Sequence, residues 1–140
     1  MQPNRSIPAA AVVPVLVYPD VRAAVEWLVE VFGFVERVHI PPNHRVQLSY
    51  RDSAVIVAER GAPGPAGVLI RVDDAAAVLE RAVARGAAVS HELNDWEYGE
   101  RQVTIEDPGG HRWTVSQTLF DAEPESWGGI TVSPDPARTY

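Results

Sequence analysis

Residues 98–117 read YGERQVTIEDPGGHRWTVSQ. Two runs rich in β-formers, RQVTIE (101–106) and HRWTVSQ (111–117), flank the turn-forming DPGG, so the stretch predicts a β-hairpin. Successive side chains of a strand point to opposite faces. Val103, Ile105, Trp113 and Val115 therefore share one face, and Gln102, Thr104, Arg112, Thr114 and Ser116 share the other. The apolar face calls for a covering helix, while the polar face looks onto water or a cleft.

Working outward, the hairpin is preceded by a polar aromatic loop, NDWEYGE (94–100), and a strand, AAVSHEL (87–93). Before these lie a helix, AAAVLERAVARG (75–86), capped by Asp73 or Asp74 and stopped at Gly86, and a strand, VLIRV (68–72). The first half of the chain has the same grammar. A strand over 11–18 carries Pro14, which cannot donate to a ladder and predicts an edge position or a break in pairing. Asp20 caps a helix with Ala24, Trp27, Leu28 and Val31 at helical spacing, ending at Gly33. Strands FVERVHI (34–40), HRVQLSY (44–50) and AVIVAE (54–59) follow. In the middle one, Val46, Leu48 and Tyr50 oppose Arg45, Gln47 and Ser49.

The halves are in register as well as in kind. Asp20 and Asp74 lie 54 residues apart, Gly33 and Gly86 lie 53 apart, and the turn residues Asp52 and Asp107 lie 55 apart. A nearly constant offset is the mark of an internal repeat. The expected fold class is α+β: tandem βαβββ modules forming a curved mixed sheet around a cleft. The expected organisation is an arm over 1–10, a first module over 11–60, a linker over 61–67, a second module over 68–118 and a tail over 119–140. The Gly/Pro-rich linker lacks the Lys and Ser/Thr of a phosphate-binding loop.

Bulk properties narrow the function. The 140 residues are 46% hydrophobic, enough for a core, and 12 basic residues stand against 19 acidic ones, for a formal charge of −7. Such a surface repels phosphate backbones and argues against a nucleic-acid partner. The absence of cysteine removes disulfides, thiolate nucleophiles and zinc–thiolate sites. The N-terminal stretch lacks a signal-peptide core, and no stretch is long enough to span a membrane, so the expected location is the cytoplasm.

VPVLVYPDVRAAVEWLVEVFGF (13–34) resembles the opening module of the glyoxalase/bleomycin-resistance/dioxygenase (vicinal oxygen chelate) superfamily, closest to its bleomycin-resistance-like branch. Residues 98–117 resemble that family's closing strands, patterned G-x-R…D-P-x-G-(N/H), and the resemblance spans roughly residues 11–118. It implies a homodimer with two clefts. In the family's enzymes it also implies a divalent metal held by His and Glu from equivalent strands of the two modules, polarising a substrate oxygen or activating a co-substrate. Here the implied ligand positions fall on Val13, Gly67, Val57 and Thr114. Valine and glycine side chains offer no donor, so the expectation is no metal and no cofactor.

The remaining candidates divide between functional and structural roles. His39, His44 and His91 either form a non-standard metal site or are ordinary surface histidines, and His111 reads as a turn-stabilising residue rather than a base. Glu59 is either a cleft carboxylate or a solvated strand-end acid. Trp96 and Tyr98 stack on a planar ligand or pack at a dimer interface. Trp27 and Trp113 belong to the core, and Arg101 reads as an ion-pair partner. Gln47, Glu59, Trp96, Tyr98, Gln102, Arg112 and Thr114 form the candidate ligand-binding set. No nucleophile–base–acid trio is readable. The leading expectation is a metal-free, antibiotic-like small-molecule binder acting by sequestration of an organic compound, cationic or aromatic in character. The alternatives are a lyase, isomerase or dioxygenase on the same scaffold, or a structural dimer with no ligand.

Overall fold

The computed structural model describes residues 3–10, 12–61 and 64–131. Residue 11 of the expected first strand, 62–63 of the linker and 132–140 of the tail lie outside the described residues. The elements are β1 (Val15–Val17), α1 (Val21–Phe32), β2 (Val35–Ile40), β3 (Arg45–Tyr50), β4 (Ser53–Ala58), β5 (Gly67–Arg71), α2 (Ala75–Ala84), β6 (Ala88–Asp95), β7 (Glu100–Glu106) and β8 (Arg112–Thr118). A short 3₁₀ turn, Pro124–Trp127, follows in the tail.

The strands form two four-stranded mixed sheets with one order repeated: β1-β4-β3-β2 and β5-β8-β7-β6. In each, the strand before the helix runs parallel to the last strand of the module, and the other pairings are antiparallel. The βαβββ repeat read from the sequence is therefore present. β1 is shorter than the expected 11–18 run. Pro14 precedes it and contributes only its carbonyl, which accepts from Ile56 N at 2.9 Å. β1 and β5 are both edge strands. β6 runs on to Asp95, because Asn94 pairs with Gln102 and Asp95 with Arg101, so the expected 94–100 loop contracts to Trp96–Gly99.

Local chemistry sets the helices. Asp20 Oδ1 accepts from Ala23 N at 3.0 Å and Asp74 Oδ1 from Ala77 N at 3.1 Å, each satisfying an otherwise orphaned first-turn amide. Gly33 ends α1 at φ 86°, a left-handed conformation that glycine adopts freely. The buried stripe of α1 (Val21, Ala24, Val25, Leu28, Val31 and Phe32) packs with the apolar faces of both sheets in one core that includes Val46, Leu48, Val57, Ile105, Trp113 and Val115. Full burial of one such side chain is worth about 1.5–3 kcal/mol. Because both apolar faces meet this shared core, both polar faces look away from it.

The modules are also joined by buried polar contacts at the DPGG turn. Asp107 Oδ1 accepts from Gly109 N (2.9 Å) and His111 N (3.0 Å), while Oδ2 accepts from Trp113 Nε1 (2.9 Å) and from the Tyr18 hydroxyl of module one. Burial, and then the neighbouring carboxylate, pushes the Tyr18 phenol well above the usual tyrosine range. Gly109 is required here, since a Cβ would stand 2.6 Å from the Tyr18 ring. His111 is buried, and its Nδ1 accepts from Ala66 N at 2.8 Å. Nε2 therefore carries the hydrogen and donates to the Val17 carbonyl at 2.7 Å, which fixes a neutral tautomer. The turn-stabilising role expected of His111 thus extends across the module boundary.

Candidate functional site

The polar face of the second sheet holds Gln102, Thr104, Arg112, Thr114 and Ser116, set by alternation with buried Val103, Ile105, Trp113 and Val115. Gln102 does not project freely. Its Oε1 accepts from the Tyr98 hydroxyl at 3.0 Å, its Nε2 donates to Ser116 Oγ at 2.9 Å, and Ser116 Oγ donates to Glu100 Oε1 at 2.7 Å. This relay fixes Tyr98 at one end of the face. Trp96 lies parallel to Tyr98, 5.9 Å away at 4°. Thr114 shares a 3.1 Å hydrogen bond with Thr104, and exposed Arg112 sits 3.6 Å from Glu106. Arg101 makes a two-pronged pair with Asp95 (2.7 and 3.0 Å), the ion-pair role expected of it, and these hydrogen bonds hold Asp95 below the usual carboxylate range.

The polar face of the first sheet is engaged differently. Gln47 Nε2 donates to the Ser6 carbonyl at 2.8 Å, Arg37 donates to Gln47 Oε1, and Arg37 Nη2 donates to the Arg5 carbonyl at 2.6 Å. The N-terminal arm thus lies on this face, and both ends of the Gln47 amide are engaged by protein. Glu59 pairs with His44 at 2.7 Å, at the far end of β4. Of the seven candidate residues, the structure brings Tyr98, Gln102 and Trp96 together at one end of the second face, with Thr114 and Arg112 further along it. Gln47 and Glu59 stand apart on the first module.

The metal positions are fixed by register. Thr114 pairs with Leu69 and Thr104, and Ile56 pairs with Val15 and Gln47. Ile56, not Val57, is therefore the counterpart of Thr114. Val57 points into the core and is fully buried. The assignment to Val57 fails because the β3–β4 turn spans only Arg51 and Asp52, whereas the β7–β8 turn spans 107–111, which shifts the repeat offset. The corrected set is Val13, Ile56, Gly67 and Thr114. Apart from the threonine hydroxyl it contains no ligating side chain, so a catalytic divalent ion does not fit there. Among the described residues, no group of three or more His, Asp or Glu gathers as ligands elsewhere. His39 faces Glu36 at 3.6 Å, while His44 pairs with Glu59.

A cavity of about 700 Å³ opens at the junction of the modules, between β5 on one side and, on the other, the β3–β4 turn, the start of β4 and the residues leading into β1. Phe34, Trp113 and Val55 floor it, and Arg51, Arg71 and Val12 stand among its lining residues. Tyr50 crosses it, donating to the Arg71 carbonyl at 2.9 Å. None of the seven candidate residues lines it. Sequence reading missed it because a turn of one module and a strand of the other make it together, and their meeting is a property of the assembled fold.

Three comparisons bear on this geometry. The model of the Glyoxalase/Bleomycin resistance protein/Dioxygenase superfamily matches residues 10–115. The solved structure of TioX from Micromonospora sp. ML1 is similar with TM-score 0.71 and 29% identity, covering 79% of this chain and 100% of that one. TnmS3, an antibiotic binding protein from Streptomyces sp. CB03234, is similar with TM-score 0.63 and 27% identity, covering 79% and 98%. An uncharacterized protein of Mycobacterium tuberculosis (strain ATCC 25618 / H37Rv) is 27% identical over 127 residues, covering 78% of this chain and 75% of its own.

Proposed function

The chain belongs to the glyoxalase/bleomycin resistance protein/dioxygenase superfamily, and on that footing we propose that it is a metal-independent small-molecule binding protein. It lowers the free concentration of an antibiotic-like organic compound by holding it, with no bond made or broken. The observation that carries this reading is the corrected set Val13, Ile56, Gly67 and Thr114, whose side chains cannot supply the charged or imidazole donors that metal-dependent chemistry needs. The likeness to an antibiotic binding protein supports the same reading.

The proposed working unit is a cytoplasmic homodimer. Val12, Val15 and Leu69 are exposed apolar residues beside the free edges of β1 and β5, and a second copy seated there buries them and closes the junction cavity. The polar faces then line the clefts, with Gln102, Thr114 and Arg112 on one wall. Removal of the arm would free Gln47 on the other.

Native mass spectrometry of the purified protein tests subunit count, metal and ligand together. The expected spectrum is a dimer without stoichiometric metal that retains small organic molecules. Stoichiometric zinc, nickel, iron or manganese would overturn the reading. A second reading, an enzyme on the same scaffold, draws on one feature: the His44–Glu59 pair at 2.7 Å, in which the carboxylate orients an imidazole. Turnover of a retained ligand that is abolished in H44A but not in W96A would favour it.

A further inference from the structure

The tail beyond Thr118 lies outside the span of the family match, yet it is built closely onto the second module. Leu119 N donates to the Gly99 carbonyl at 2.8 Å. Gly99 sits at φ +85°, and a Cβ there would stand 2.3 Å from the Phe120 carbonyl oxygen, so the tail crosses where only glycine leaves room. From this anchor the chain turns through Pro124–Trp127 and sets Trp127 against Tyr98, ring centroids 5.5 Å apart at 61°. Tyr98, held through its hydroxyl by Gln102, contacts both indoles, Trp96 as well as Trp127. Trp96 and Trp127 remain 45% and 42% exposed.

The surroundings are strongly acidic. In sequence, Asp95, Glu97 and Glu100 bracket Trp96 and Tyr98, and Asp121, Glu123 and Glu125 precede Trp127. Within 94–101 and 119–127 the sole basic residue is Arg101, already paired with Asp95, and Arg71, which reaches the root of the tail, is engaged with Thr118 Oγ1 at 2.9 Å. The Thr131 amide holds Glu125 below the usual carboxylate range.

We propose that Trp127, supplied by the tail, is a binding residue that completes a three-ring ledge with Trp96 and Tyr98, and that this ledge takes a flat organic cation. Indole faces attract cations through their quadrupole, and clustered carboxylates raise the local cation concentration. The proposal rests on the small-molecule reading above and adds to it the ligand class and the role of the tail.

The test titrates the full-length protein with proflavine, a flat cation, and with anthracene-2-carboxylate, a flat anion of similar size, following dye anisotropy. Saturable proflavine binding is expected, weakened about five- to tenfold by W127A and by W96A, and weakened again at high salt. The anion is expected to bind at least about tenfold more weakly. Both tryptophans are half exposed, so thermal unfolding of the variants should match the parent. No proflavine binding, or equal affinity in W127A and the parent, overturns the ledge. If native mass spectrometry still finds retained organic molecules, the small-molecule reading survives that failure; if it finds none, both fall.

Discussion

The Tyr18 hydroxyl, on the segment leaving β1, donates to Asp107 Oδ2, 89 residues further along the chain. Four donors from two modules converge on this carboxylate, three of them in buried bonds and the fourth, Gly109 N, in a part-buried one. Hydrogen bonds to charged groups are worth about 1.5–3 kcal/mol. Y18F should therefore lose roughly 2 kcal/mol, read as a lower urea midpoint at unchanged m-value. D107A should lose more, about 3 kcal/mol or above, because three further donors are stranded.

The same pair sets an alkaline limit. Burial and Asp107 raise the Tyr18 phenol in the folded state, while in the unfolded chain it ionises near pH ~10. A raised folded value contributes stability in full below that pH and loses it as pH climbs above. Urea unfolding between about pH 8 and 11.5 should show a steeper alkaline decline in the parent than in Y18F. Parallel curves would show that Tyr18 ionises equally in both states.

At the acid end, Arg22 and Glu36 make a two-pronged surface pair at 2.8 and 3.0 Å, and these bonds hold Glu36 below the usual range. A lowered folded value contributes stability above the unfolded carboxylate range and loses it as pH falls through the folded value. Both groups are about a third exposed, so R22A should cost only ~0.5 kcal/mol at pH ~7 and still less near pH ~3. Urea midpoints at the two pH values check both sign and size.

Gly99 is the hinge of the tail. G99A should displace Phe120 and free Trp127 from Tyr98, giving a red-shifted tryptophan emission, while costing about 1–2 kcal/mol of overall stability. An unshifted spectrum would show that the tail holds its place without this crossing.

The arm makes a proteolytic prediction. Arg37 grips the Arg5 carbonyl, which belongs to a tryptic bond. R37A should speed cleavage after Arg5 several-fold with little change in global stability, since backbone held in place resists proteases. Timed digestion read by mass gives the rate.

Much of the architecture was written locally. Asp20, Asp74 and Gly33 signal helix ends through their own backbone chemistry, and β3, β7 and β8 signal their faces through alternation, as Val46, Val103 and Trp113 bear out. The failures occurred where meaning depends on segments distant in sequence. Val57 and Ile56 are neighbours on one strand with opposite faces, and only the pairing register, which differs between the modules by the length of their last turns, picks out Ile56 as the counterpart of Thr114. Gln47 and Gln102 read as free polar groups, yet Ser6 and Tyr98 claim their amides. Trp127 carried no periodic signal at all, since its partner lies 29 residues away across a fold-back.

His111 breaks the internal symmetry of the duplication. It grows from a long connection in the later copy, and the earlier copy, with only Arg51 and Asp52 at the matching place, has no room to grow its own. The two copies have therefore become lock and key, and neither can stand in for the other. A gene carrying the first copy twice would encode the same strands and helices but leave the Val17 carbonyl without its imidazole donor. The duplication is thus symmetric in its elements and asymmetric in its seam, because one turn of unequal length supplies the contact that binds the copies together.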